Sequence, residues 1–232
     1  MPLAQAVRAR APERLRNHPG LRAVALASGL IPPRAMHTQA EAELLREFAR
    51  GRRCIVELGV YEGASAIALV DVLGPEAELH LVDPFVDESG WSMLPGWHGT
   101  PRATMAAVRR ARREGGPRVR WHVARSQDVG RAWGGPAVDL VFIDGDHSPA
   151  GCREDWQVWH PHVAPGGVVA FHDARWEMPG GHGSPGPTRV VAELFLDAGP
   201  PVGWELAAEV DSLVAVRRSD GLPGATAGIE PA

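Results

Sequence analysis

The amino-acid sequence predicts an α/β protein: a doubly wound, Rossmann-like, mostly parallel sheet with helices on both faces and an antiparallel hairpin at the C-terminal end. Three observations predict it. From residue 53 onward, short apolar runs alternate with amphipathic stretches, and the runs are continuous, as strands covered on both faces by helices must be. Two of them, VDLVFID and GGVVAFHD, end in aspartate, and the interval from Asp144 to Asp173 is the length that a strand–helix–strand unit needs. The last two apolar segments, WELAAEV and SLVAVRR, are parted by little more than Asp211 and read as a hairpin.

Taken in order, residues 1–36 read as one or two short helices broken by HPG and IPP, a helical cap (1–37) on the main domain (38–218). Residues 37–50 place Ala42, Leu44, Leu45, Phe48 and Ala49 at helical spacing, with Thr38 as N-cap. CIVEL is the first strand, GASAIALVDVL a helix and ELHLVD the second strand. A Gly/Trp/Pro loop (84–101) leads to a helix over 102–113, then RVRWHVA as third strand, SQDVGRAW as a short helix and DLVFID as fourth strand. The helix carrying Trp156 and Trp159 crosses over to the fifth strand, GVVAFHD. A second Gly/Pro loop (175–187) precedes a helix in VVAELFLDAG and the hairpin. The tail from 219 is Gly/Ala/Pro-rich and reads as disordered.

Composition narrows the class. A net charge of −4 argues against a nucleic-acid partner, which demands clustered Lys and Arg. Two cysteines make neither a disulfide framework nor a zinc spacing, as expected of a reducing cytoplasm. Apolar runs fall short of the ~20 residues a bilayer helix needs, and the Arg-rich start lacks the apolar core of a signal peptide. The expectation is a cytoplasmic protein without a membrane partner.

Ligands of open parallel sheets bind beyond the carboxyl ends of the strands. After the first strand comes VELGVYEGAS, where Gly59 and Gly63 permit a tight strand-to-helix turn and close approach of a ligand. The pattern E-x-G-x-x-x-G is not the G-x-G-x-x-G that grips a pyrophosphate, and Glu57 within it favours a cation over an anion. Asp83, at the end of the second strand, is placed to accept ribose hydroxyls, and Ser126 and Gln127, after the third, to address an adenine edge. An adenosine bearing positive charge, S-adenosylmethionine, meets all of these demands.

VELGVYEGASAIAL, LVDPF and VDLVFIDGDHSPAGCREDW…GGVVAFHD together resemble the class I S-adenosylmethionine-dependent methyltransferases, in particular the macrocin or macrolide-sugar O-methyltransferase-like branch, over roughly residues 38–200. Catechol O-methyltransferase is a more distant likeness. The resemblance implies that Glu57, Gly59, Gly63, Asp83, Ser126 and Gln127 contact the cofactor, with Tyr61, Ser65 and Asp144 counted in the same set.

Methyl transfer to a hydroxyl needs a deprotonated, positioned oxygen, and a divalent cation supplies both effects. Asp144 and Asp173 are the candidate carboxylate ligands, with His172 beside them; Mg²⁺ suits oxygen ligands, whereas an imidazole shifts preference toward Mn²⁺, Fe²⁺ or Zn²⁺. His172 departs from the Asp-Asn or Glu-Asp pair of metal-dependent relatives. His147 stands where relatives carry a Lys or His base, with Asp146 or Asp155 to orient it.

The two long loops bring Trp91, Trp97, His98, Trp176 and His182 as an aromatic platform for a sugar or planar acceptor; contact between copies of the chain in a homo-oligomer explains them equally well. The expected activity is methylation of a small-molecule hydroxyl. The alternatives are N-methylation of an amino sugar without metal and, in another class, a nucleotide-binding oxidoreductase or a ligand sensor.

Overall fold

The two runs that end in aspartate lie side by side in a seven-stranded sheet, seen in a computed structural model that describes residues 18–86, 100–175 and 184–219. The strands are β1 (Cys54–Leu58), β2 (Glu78–Val82), β3 (Arg118–His122), β4 (Val138–Ile143), β5 (Val163–Phe171), β6 (Trp204–Val210) and β7 (Leu213–Arg218), in the spatial order β3-β2-β1-β4-β5-β7-β6. β1 to β5 are parallel; β7 runs antiparallel to both β5 and β6. The strand order reverses between β1 and β4, the topological switch point where such sheets bind ligands. There Leu58 pairs with Ile143 and Ile143 with Phe171, so Gly59, Asp144 and His172 leave the sheet abreast.

The helices are α1 (Pro19–Ser28), α2 (Gln39–Ala49), α3 (Ala64–Val70), α4 (Pro101–Ala111), α5 (Ser126–Arg131), α6 (Pro149–Trp159) and α7 (Pro185–Val191). The strand period of two sorts the core. Val56, Leu58, Val141, Ile143, Val169 and Phe171 pack against Trp156, Trp159 and Phe195 on one face. On the other, Ile55, Leu140, Phe142 and Ala170 pack against Leu45 of α2, Leu69 of α3 and Val108 of α4. Glu57, two residues after Ile55, is wholly buried.

Two boundaries differ from the sequence reading. α7 begins at Pro185, inside the stretch read as loop, and passes into a π-helical turn, Ala192–Leu196. Prolines at the first turn of a helix cost nothing, because the N–H groups they lack have no intrahelical acceptor. β5 starts at Val163, ahead of its glycines, with a register shift in its pairing to β4. Thr38 caps α2 as expected, in a reciprocal box: its hydroxyl accepts from Glu41 N and its own N donates to Glu41. The first part of the cap and the tail, residues 1–17 and 220–232, lie outside the described residues, and no helix among those described is long and apolar enough to cross a membrane.

The described part of the cap is fastened by charge as well as by apolar contact. Leu26 of α1 packs on Ala103 and Ala107 of α4, while Arg110 donates to the Leu26 and Ala27 carbonyls at the end of α1. Arg22 forks onto both oxygens of Glu62 at 2.5 Å, and Arg34 adds its backbone N at 2.7 Å. The Arg22 and Glu62 side chains keep only 9 % and 5 % of their surface. Removing Arg22 leaves Glu62 with Arg34 alone, its guanidinium 3.3 Å away, so Arg22→Ala is expected to lower the unfolding free energy by about 1–3 kcal/mol in urea titrations; no measurable loss would mean that the pair is effectively solvated.

Candidate active site

The loop after β1 is held by the end of β2. Asp83 accepts from Val60 N and Tyr61 N at 2.8 Å through one oxygen, and from Phe85 N at 2.6 Å through the other. Tyr61 (φ 53°) and Gly63 (φ 86°) both take left-handed backbone, and a β-carbon at Gly59 (φ 85°) would collide with the Asp144 carbonyl. Asp83 thus does a structural task the sequence did not reveal: it stitches the loop that Gly59 allows to lie against β4.

Under that loop sits Glu57, which accepts a hydrogen bond from Ser65 at one oxygen. The other has no partner among the described residues. Burial pushes its carboxyl up to about 8, against the Ser65 hydrogen bond and with help from the nearby charges of Asp144 and Asp83. The sequence reading gave Glu57 a standing negative charge; its enclosure keeps it neutral near pH 7 until a cation or donor meets the open oxygen.

Beyond β4 and β5 the acids and imidazoles converge. His147 Nε2 lies 3.1 Å from Asp173 Oδ2 and 3.6 Å from Asp144 Oδ1. One ligand atom from each of Asp144, His147 and Asp173 fits within 4.8 Å of the others. Asp173 (φ 53°) is held in left-handed backbone by its carbonyl, which accepts from Ser184 N and Thr188 Oγ1 at the start of α7. Gly186 in the same turn leaves room for the His147 carbonyl, where any side chain would clash.

His172 corrects an expectation. It was to stand beside the aspartates as a ligand, but its side chain is 2 % exposed, with Nδ1 3.1 Å from Asp144 Oδ1 and Nε2 3.4 Å from Glu41 Oε2. Both nitrogens face carboxylates, which is the bonding of an imidazolium, not of a metal ligand. Burial opposes the charge on His172, yet Asp144, Glu41 and Asp173 together raise its pKa well above the ordinary value. The partners respond in kind. Burial alone would raise Glu41, but the hydrogen bonds from His172, Ser212 and Thr38 bring it down to about 2; Asp144, which burial also pushes up, is held far below the carboxylate range by His172 and His147. The sequence singled out Thr38 as the cap of this helix but not Glu41, nor that Glu41 reaches the acid cluster.

Ser126 and Gln127 come together on one acceptor, Asp155 of α6, which is fully buried. Asp146 accepts from Ser148 N at 2.8 Å and shapes the turn into α6. The expectation that one of these two aspartates orients His147 is therefore replaced: Asp144 and Asp173 do so. Trp91, Trp97, His98, Trp176 and His182 lie outside the described residues.

Residues 56–174 match the family described as Methyltransferase domain, a span from within β1 to just past Asp173 that takes in half the chain. The chain belongs to the methyltransferase-domain family. It is accordingly an enzyme of the methyltransferase class. Solved structures share the fold at low identity. A protein from Corynebacterium glutamicum matches with TM-score 0.59 and 18 % identity over 96 % of this chain and 98 % of its own. The O-methyltransferase TomG from Streptomyces achromogenes, involved in tomaymycin synthesis and solved with SAM, gives 0.56 and 19 % over 90 % and 91 %. An O-methyltransferase from Bacillus cereus in complex with SAH gives 0.53 and 18 % over 93 % and 97 %. No curated protein matches the chain.

The methyltransferase's central imidazole has a testable charge. Burial disfavours the protonated form of His147, but the hydrogen bonds and charges of Asp144 and Asp173 outweigh it and raise the pKa to about 10. A group raised on folding lends stability that is complete below its unfolded pKa of about 6.5 and is lost as pH climbs toward 10. In protein freed of divalent cations, the His147 Cε1–H NMR shift is expected to stay at the imidazolium position at pH 8, and Asp173→Asn to move the midpoint down; a midpoint at 6.5 in the unmutated chain would contradict the paired geometry.

Proposed function

We propose that this methyltransferase uses S-adenosylmethionine to methylate a hydroxyl of a small-molecule acceptor, a sugar or aromatic natural product, with a divalent cation, Mg²⁺, at Asp144 and Asp173 and with His147 as general base. The observation that carries the reading is the junction of two unlike sites at the switch point. The loop held by Asp83 over Glu57 adjoins, through Gly59 and the Asp144 carbonyl, the cluster of Asp144, His147 and Asp173.

The residues present fit both groups. Glu57 offers an enclosed oxygen without a partner among the described residues, suited to an ammonium donor, and Gly59 and Gly63 bring no side chain to either end of the strand-to-helix turn. Glu57, Gly59, Tyr61, Gly63, Ser65 and Asp83 would hold the methionine and ribose parts, Ser126 and Gln127 the adenine. What S-adenosylmethionine supplies there is a methyl group on a sulfonium. Two carboxylates with an imidazole close by suit a hard divalent ion, and with His172 sealed between Asp144 and Glu41 the oxygen ligands dominate, which favours Mg²⁺. The cation's contribution is to lower the pKa of the acceptor hydroxyl and fix its place.

His147 then moves the proton. While Asp144 and Asp173 both face it, the ring holds its own proton at neutral pH and takes no other. Once those carboxylates are committed elsewhere, the attraction that raises the ring is gone while its burial remains, so its pKa falls and Nε2 accepts the acceptor's proton. The same point disfavours N-methylation without metal, in which His147 would stay an imidazolium and have no vacancy for an ammonium proton.

Calorimetry with S-adenosylmethionine and S-adenosylhomocysteine, with and without Mg²⁺, tests the cofactor; absence of binding would reject the reading. His147→Ala is expected to reduce methyl transfer to hydroxylated glycoside or catechol acceptors by roughly 10²- to 10⁴-fold while leaving the Kd for S-adenosylhomocysteine within about twofold. Chelation should abolish turnover and Mg²⁺ restore it. Unchanged turnover in the variant, or full activity in chelator, would remove the base or the metal from the scheme.

A further inference from the structure

We infer that Asp155 is a specificity-determining positioning residue: by accepting from both Ser126 Oγ and Gln127 Nε2, it turns these two side chains into outward-facing acceptors that select a 6-amino purine and reject a 6-oxo purine. The inference rests on the function proposed above and deepens it.

The geometry is asymmetric at one carboxyl. Asp155 Oδ1 takes both the Ser126 hydroxyl and, at 2.9 Å, the Gln127 amide nitrogen. Oδ2 takes nothing among the described residues, and lies 3.7 Å from where a β-carbon on Gly145 would stand. The carboxyl thus sits between the loop that follows β3 and the loop that follows β4. α6 also locks α5 by a second bond, from Trp159 Nε1 to the Ser126 carbonyl at 3.2 Å. Gly130 makes this close approach possible, since a side chain there would press on Val158 and Trp159.

An amide has one donor end and one acceptor end. With Nε2 committed inward to Asp155, Gln127 is left with Oε1, which no described residue engages. The Ser126 hydroxyl spends its only proton on Asp155 and likewise keeps lone pairs alone. Burial pushes the Asp155 carboxyl up to about 7, opposed by the Ser126 hydrogen bond and aided by Asp146 and Glu154. The orientation does not depend on that proton: Oδ1 already receives two donors, so a proton resides on Oδ2, and Oδ1 accepts in either state. The exocyclic amine of adenine donates to such acceptors. The O6 of hypoxanthine would meet them lone pair to lone pair, and rotating the amide to help would set Oε1 against Asp155.

The test is calorimetric binding of S-adenosylhomocysteine and S-inosylhomocysteine to the full chain. The unmutated enzyme is expected to prefer the adenosyl compound by about 10- to 100-fold, the effect of leaving buried polar groups unpaired. Asp155→Asn, which offers Gln127 a donor and so permits the rotated amide, should bring the preference below about threefold. Gln127→Leu, which deletes the acceptor and leaves Ser126 to hold Asp155, should do the same and decides the matter should Asp155→Asn fold poorly. A preference retained in Gln127→Leu, or one under threefold in the unmutated enzyme, overturns the inference while leaving the methyltransferase reading intact; failure to bind either compound overturns both.

Discussion

Buried charge must be paired, and that constraint organises the catalytic end of this sheet. Glu41, His172, Asp144, His147 and Asp173 form an unbroken succession of carboxylate, imidazole, carboxylate, imidazole and carboxylate, running from a sealed interior to a partly open rim. The inner end is dry, with Glu41 and His172 both 2 % exposed; at the outer end His147 keeps 34 %. Deletion of His172 would leave Glu41 ionised without a counter-charge and Asp144 with His147 alone. The inner members therefore fix where the outer ones stand, and the outer ones are left to meet ligands.

The cofactor side obeys a different economy, in which neutral groups wait. Glu57 and Asp155 are wholly buried carboxyls, each with one oxygen bonded to a serine and the other without a partner among the described residues, and burial pushes both upward. They stand on either flank of β4's exit loop, Glu57 on β1 and Asp155 on α6. Asp83, by contrast, accepts from three backbone amides and so braces the loop as well. Three carboxyl groups of like chemistry thus carry separate tasks, set by what surrounds each.

Much of this was legible. Continuous apolar runs gave away the parallel strands because both faces of the sheet are covered, and the rule that chemistry gathers beyond strand ends picked out Asp144, His147 and Asp173. The misplacement of His172 has a specific cause. The strand alternation continues one residue past β5, so His172 follows Ala170 onto the face covered by α2 and passes beneath Glu41. Asp173 escapes that alternation by turning into left-handed backbone, which no hydropathy pattern announces. Asp155 and Asp83 were singled out, but the hydrogen bonds they make were not legible, because their partners come from other elements, Ser126 at the head of α5 and the amides of Val60 and Tyr61, and a linear pattern carries no such adjacency. The start of α7 was hidden by prolines that serve equally in a loop and in a first helical turn.

Glu41 is bound by Ser212 through both its backbone N and its hydroxyl, across 171 positions of the sequence. During synthesis the N-terminal helix leaves the ribosome long before the hairpin turn that completes it. A nascent chain can pair β1 with β2, and later β4, by local crossovers, yet the Glu41 carboxylate lacks two of its hydrogen-bond donors until residue 212 has emerged. The acid–imidazole cluster is thereby tied to the last part of the domain to be made, and a prematurely terminated chain that lacked the hairpin would carry Glu41 without the donors that Ser212 brings to it.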